Sequence, residues 1–201
     1  PYIVSSYKSH NEMNSNNIND IYIDEEKRIW IANYPEGITI IDNRYKSYNW
    51  IKHSIGNRQS LVNDQVHSVI EDSDGDLWFG TSNGISLYQS KTGQWHSFLS
   101  SFDHQLKNKN HIFITLCEVS PGIIWAGGYT SGVYKINKRT LSVEYFSPYL
   151  LNPDNIRPDK YIRDIVKDSK GYIWSGGFYN LKCFDLSLNS VRLYPGINSV
   201  T

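Results

Sequence analysis

The sequence is poor in the residues that usually disclose a chemistry. Its two cysteines, Cys117 and Cys183, are too few for a disulfide framework, and neither has a Cys or His neighbour at zinc-ligand spacing. Twenty Lys and Arg balance twenty Asp and Glu with no long block of either sign, so the footprint of a nucleic-acid or membrane-surface binder is missing. No stretch approaches the roughly 18 consecutive apolar residues of a membrane span, and the opening PYIVSSYKSH does not have the layout of a signal peptide. An apolar i, i+3, i+4, i+7 pattern never persists long enough to argue for a helix. A G-x-S-x-G elbow and a P-loop are also missing, and His53, His67, His96, His104 and His111 are scattered without a pair at metal-binding spacing. No catalytic residue, metal ligand or cofactor is therefore assigned.

What the chain does have is 39% hydrophobic and 14% aromatic residues, enough for a sizeable core, and a repeat. DEEKRIW (24–30), DSDGDLW (72–78), VSPGIIW (119–125) and DSKGYIW (168–174) place Trp30, Trp78, Trp125 and Trp174 at separations of 48, 47 and 49 residues. After each Trp come small residues, Ala32, Gly80, Gly127 and Gly176 among them, then a turn and another alternating apolar run. Within the second repeat, QVHSVIED, DLWFGT, GISLYQ and QWHSFL read as four short strands joined by DSDG, SNG and SKTG. The Asn83-Gly84 pair is the strongest hairpin signal in the chain.

Four antiparallel strands per period of about 48 residues predict an all-β chain of four β-propeller blades, part of a larger propeller. The predicted boundaries are 1–16 for an outer strand and linker of a preceding blade, 17–62, 63–109, 110–157 and 158–201 for blades one to four, with no separate second domain. The first strand of each blade is expected at the central channel. The Trp belongs on the second strand, where the small residues that follow let adjacent sheets approach.

DSDGD at 72–76 also resembles the start of a calcium loop. Asn83 stands at the twelfth position, where a bidentate Glu is required, and the flanking segments are strands. What recurs between repeats is the glycine, as Gly75, Gly122 and Gly171, so the stretch is read as a turn.

NDQVHSVIEDSDGDLWFGTSNGISLY resembles the two-component regulator propeller repeat, and the other three repeats are similar to it, so the resemblance covers nearly the whole chain. It implies the extracytoplasmic sensor region of a hybrid two-component regulator, of the kind found in Bacteroides-like bacteria, with a seven-bladed propeller and a periplasmic location. The implied ligand is an oligosaccharide. The histidine kinase that would read it is absent from this chain, and the membrane would be reached only through the parent's transmembrane helix. Implied partners are neighbouring blades of the parent chain and a second copy in a homodimer; nucleic acid is not among them. Two competing readings are a propeller lyase of the streptogramin-inactivating type and a structural association module.

Strand order brings the loops between second and third strands, and those joining one blade to the next, to one face. Exposed aromatics beside amides and cations suit sugar stacking with directional hydrogen bonds. The residues singled out there are Tyr34, Asn83, Tyr129, Tyr179, Arg157 and Lys160.

Overall fold

The computed structural model describes residues 16–42, 47–100, 111–146, 160–178, 180–187 and 189–195. They form four antiparallel sheets of four strands, each sheet in simple chain order. The first sheet holds β1 (Ile18–Ile23), β2 (Ile29–Asn33), β3 (Gly37–Asp42) and β4 (Ser47–Ile51). In the second are β5 (Val66–Glu71), β6 (Leu77–Thr81), β7 (Gly84–Gln89) and β8 (Gln94–Phe98). The third comprises β9 (Phe113–Ser120), β10 (Ile123–Gly128), β11 (Gly132–Asn137) and β12 (Ser142–Phe146), and the fourth β13 (Ile162–Lys167), β14 (Ile173–Gly177), β15 (Asn180–Asp185) and β16 (Ser190–Pro195). The expected all-β architecture of four four-stranded repeats is present. Contacts gather the chain into two compact units, Pro1–Phe113 and Ile114–Thr201.

The middle strands of the second sheet are buried on both faces, which explains why LWFGT and GISLYQ read as nearly continuous apolar runs. Trp30, Trp78, Trp125 and Trp174 all lie on second strands. In the first unit Trp30 is 1% exposed and lies 6.2 Å from the Phe79 ring of the second sheet. In the second unit Trp125 meets Phe184 of the fourth sheet edge-on at 5.2 Å. Each unit thus has its own core: Ile38, Val66, Val69 and Phe79 join Trp30 in one, and Val133, Ile162, Ile165 and Phe184 join Trp125 in the other. Burial of an aromatic of this size contributes gross several kcal/mol.

Small residues permit the approach of one sheet to the next. A Cβ on Gly127 would lie 2.6 Å from Ile162 Cγ2, on the first strand of the following sheet. Ala32 is fully buried. Gly176 lies in the last described sheet, with no following sheet among the described residues, and nothing lies within 4 Å of its Cβ position.

The turn between first and second strands is clasped by an aspartate. Asp72 Oδ1 accepts the Asp74 and Asp76 amides at 3.0 and 3.1 Å, and its Oδ2 accepts Trp78 Nε1–H at 2.8 Å. Asp24 and Asp168 repeat the arrangement, taking Trp30 and Trp174 Nε1–H at 2.9 Å and the Arg28 and Tyr172 amides at 2.9 Å. The DSDGD stretch is therefore a turn whose first carboxylate is saturated by its own strand hairpin; Asp76 Oδ1 is likewise taken, by the Ser90 amide at 2.9 Å. Gly75, Gly122 and Gly171 hold the left-handed conformation at φ 83°, 75° and 89°, and Lys27 adopts it at 65° without altering the hairpin. In the third sheet Val119 replaces the aspartate and is buried beside Trp125, while Glu118 Oε1 accepts the Gly122 amide at 2.8 Å.

Candidate functional site

Three strand pairs carry a register irregularity at the same place. Between β1 and β2, β5 and β6, and β13 and β14 the register slips by one residue, leaving Asn19, His67 and Arg163 as the extra residue of the first strand. A bulge at such a place turns its side chain out of the ladder, and bulges concentrate beside binding sites. Each stands 11 positions before its repeat's Trp. The start of the first strand pairs with the end of the second, Ile18 with Asn33 and Ile162 with Gly177, so each bulge lies beside the turn that follows the second strand.

These turns present Tyr34, Ser82, Tyr129 and Phe178, all four residues after a repeat Trp. Three of the four are held by the glycine that opens the third strand. Gly37, Gly84 and Gly132 donate their amides to the carbonyls of Asp64, His111 and Lys160 at 2.7, 2.8 and 2.8 Å, tying each turn to the segment that leads into the next sheet. At Gly84 a Cβ would lie 2.5 Å from the Phe98 carbonyl oxygen, and φ is 99°, so both space and conformation require glycine.

In the second unit the face is aromatic. Tyr161 stacks on Phe178 with centroids 4.0 Å apart and a 20° interplanar angle, and Tyr129 meets Tyr161 edge-on at 5.2 Å. Phe178 is 70% exposed and Tyr129 48%, so a ladder of three rings faces water. Arg163 Nη1 approaches the Tyr161 hydroxyl at 3.5 Å. Lys160, exposed, adjoins Tyr161 in the chain.

In the first unit the face is a polar network. Asn19 Nδ2 donates to the Val66 carbonyl at 2.8 Å and lies 3.4 Å from His67 Nδ1. His67 Nε2 is 2.8 Å from Ser82 Oγ, and the Tyr34 ring lies 5.9 Å from the imidazole. Burial holds His67 below the ordinary histidine value, favouring the neutral ring.

Of the residues singled out from the sequence, Tyr129 and Lys160 lie at the ring ladder and Tyr34 beside the polar network. Asn83, half-buried, has its amide bonded to Thr81 Oγ1 at 3.1 Å within the hairpin. Tyr179 and Arg157 lie outside the described residues. Sequence reasoning missed Tyr161, Asn19 and His67 as site residues. The signal was available in a fixed count back from each Trp, which places Asn19, His67 and Arg163 in one column. Among the described residues no group of three His, Cys, Asp or Glu side chains could hold a metal.

The fold defines a class, the antiparallel four-stranded blade of a β-propeller. Residues 12–34 and 60–83 match the two component regulator propeller family model. Their matched spans reach through β1 and β2, and through β5 and β6. No curated protein matches the sequence. Among solved structures, the extracellular domain assigned to a hybrid two component system of B. thetaiotaomicron is similar with a TM-score of 0.75 and 21% identity, covering 96% of this chain and 25% of that one. An extracellular domain assigned to a one component system of the same organism has a TM-score of 0.64 at 16% identity, covering 94% and 23%. A gluconolactonase from Xanthomonas campestris has 0.61 at 13% identity, covering 89% and 61%. This chain spans about a quarter of the length of the two extracellular domains.

Proposed function

We propose that the chain is a non-catalytic part of the extracytoplasmic, periplasmic sensor region of a hybrid two-component regulator. It binds an oligosaccharide and passes that event to a histidine kinase outside this chain. The observation that carries the ligand reading is the exposed ladder of Tyr129, Tyr161 and Phe178. Three adjoining rings, two of them largely open to water, with one stacked pair, suit the flat C–H face of a pyranose. Arg163 and Lys160 at the same edge supply donors for its hydroxyls or carboxylate. The family repeats and the likeness to extracellular domains of regulators support the sensor role. Signalling would require that the ligand bind two conformational states unequally.

Exposed apolar side chains on β1 favour a second reading, association through a sheet face. Ile21 is 56% exposed, whereas the residues nine before the Trp in the second and fourth repeats, Val69 and Ile165, are 4% and 3% exposed. A thermal-shift screen against neutral and acidic oligosaccharides separates the two. A ligand at 100 times its dissociation constant adds roughly 2.7 kcal/mol to stability. The sensor reading expects a selective shift that Phe178→Ala or Tyr129→Ala abolishes. No shift with any glycan, together with concentration-dependent self-association, gives the chain to the association module.

A further inference from the structure

The polar network of the first unit has one consistent arrangement of protons. A carbonyl only accepts, so the 2.8 Å bond to Val66 O fixes which end of the Asn19 amide is nitrogen. That nitrogen is also the atom facing His67 Nδ1, at 3.4 Å, and it can only donate. Nδ1 is therefore the acceptor of the neutral imidazole, and the ring proton sits on Nε2. The Nε2–H then donates to Ser82 Oγ at 2.8 Å. Two groups remain unspent: the Asn19 Oδ1 lone pairs and the Ser82 O–H. Asn19 is exposed and Ser82 half-buried, and the Tyr34 ring lies 5.9 Å from the imidazole that bridges them.

Ser82, His67 and Asn19 have the outline of a nucleophile, base and orienting residue, but the protons run the wrong way. A general base needs a bare Nε2 toward the hydroxyl, and here Nε2 is the donor. The arrangement orients a hydroxyl for binding instead.

The surrounding charges are already engaged. Both Asp20 carboxylate oxygens accept backbone amides, those of Ile21 and Val69, at 2.9 and 2.8 Å. Lys52 pairs with Glu36 at 2.6 Å. A ligand reaching this place meets one acceptor, one donor and an aromatic ring, with no unengaged charge among these groups.

We propose that Asn19, Ser82 and Tyr34 form a recognition subsite for a neutral vicinal diol, with His67 as the positioning residue that orients Ser82. One hydroxyl of such a diol donates to Asn19 Oδ1 while its neighbour accepts from Ser82 O–H, and the carbon face lies toward Tyr34. The assignment deepens the sensor reading and rests on it.

The test is NMR on the whole chain. Long-range proton–nitrogen correlations of His67 should show the proton on Nε2; a proton on Nδ1 overturns the proposal. Titration with a panel of methyl glycosides of glucose, galactose, mannose, xylose and arabinose should move the Asn19 side-chain amide and the Ser82 resonances with at least one sugar. Ser82→Ala should weaken that binding about tenfold, and Ser82→Thr, which keeps the hydroxyl, should restore it. Equal binding by wild type and Ser82→Ala overturns the subsite. So does silence at Asn19 and Ser82 with all five glycosides. Neither of these outcomes touches the oligosaccharide screen at Tyr129 and Phe178, so loss of the subsite and loss of the sensor reading are told apart.

Discussion

The two units are built from the same repeat and differ in two places. In the first, both sheets carry the aspartate clasp, Asp24 to Trp30 and Asp72 to Trp78, and the loop face is a hydrogen-bonded network around His67. In the second, the third sheet has Val119 in place of the clasp and the loop face is a stack of rings around Tyr161. The difference separates two jobs within the repeat. The clasp is a local way of satisfying a turn and a buried indole, and it can be exchanged for apolar packing. The positions 11 before and four after the Trp carry no shared packing duty, since Asn19, His67 and Arg163, or Ser82 and Phe178, occupy them equally well. Under the proposed sensor reading, those positions are free to specify a ligand.

The comparison breaks most sharply at the clasp. Asp72→Ala orphans the Nε1–H of Trp78, a residue with no exposure, along with two turn amides. A buried donor left unsatisfied costs about 1–3 kcal/mol, and bonds to a carboxylate are the stronger kind, so a loss of about 3 kcal/mol is expected by urea denaturation. The matching change in the third sheet, Glu118→Ala, removes the bond to the Gly122 amide at a turn where the amide can reach water. It should cost less than about 1 kcal/mol. Equal losses would mean that the third sheet depends on a capping acid after all.

A second test sits where sheets meet. Gly127→Ala puts a Cβ 2.5 Å from Thr115 Cγ2 and 2.6 Å from Ile162 Cγ2, both on strands that cannot retreat singly. Overpacking of this kind costs about 1–3 kcal/mol. Gly176→Ala, at the same place in the fourth repeat, has open space around it and should be neutral or stabilise by about 0.5 kcal/mol through the unfolded chain. Melting curves of the pair measure how much of the small-residue requirement comes from the neighbouring sheet and how much from the strand itself.

These residues also mark how far sequence carried. The Trp period and the alternation within it were enough for strand number, order and class, because burial of Trp78 and the apolar faces of LWFGT and GISLYQ follow directly from pattern. Glycine roles were legible at Gly75 and Gly84, where a turn demands positive φ, whereas at Gly127 and Gly176 the role depends on what stands opposite. The site was legible only in outline. Tyr34 and Tyr129 are visible as exposed turn aromatics, whereas Asn19, His67 and Arg163 become site residues through a bulge. A one-residue register slip leaves little trace in the alternation of a six-residue strand.

The smallest effect tests conformational strain, once in each unit. Lys27 at φ 65° and Leu141 at φ 55° occupy left-handed positions that other repeats give to Gly75 (φ 83°) and Gly93 (φ 71°). A side chain in that region costs about 1 kcal/mol, and glycine removes the strain while adding unfolded-state entropy worth roughly half of it. Lys27 is exposed, so Lys27→Gly sacrifices no packing and should gain about 0.5 kcal/mol. Leu141 is 47% exposed and gives up a half-buried apolar side chain, so Leu141→Gly should come out near zero. The same substitution in the same left-handed region thus differs chiefly in what the side chain covers. If thermal unfolding shows Leu141→Gly gaining as much as Lys27→Gly, the leucine contributes nothing to the second unit's surface, and strain alone governs both turns.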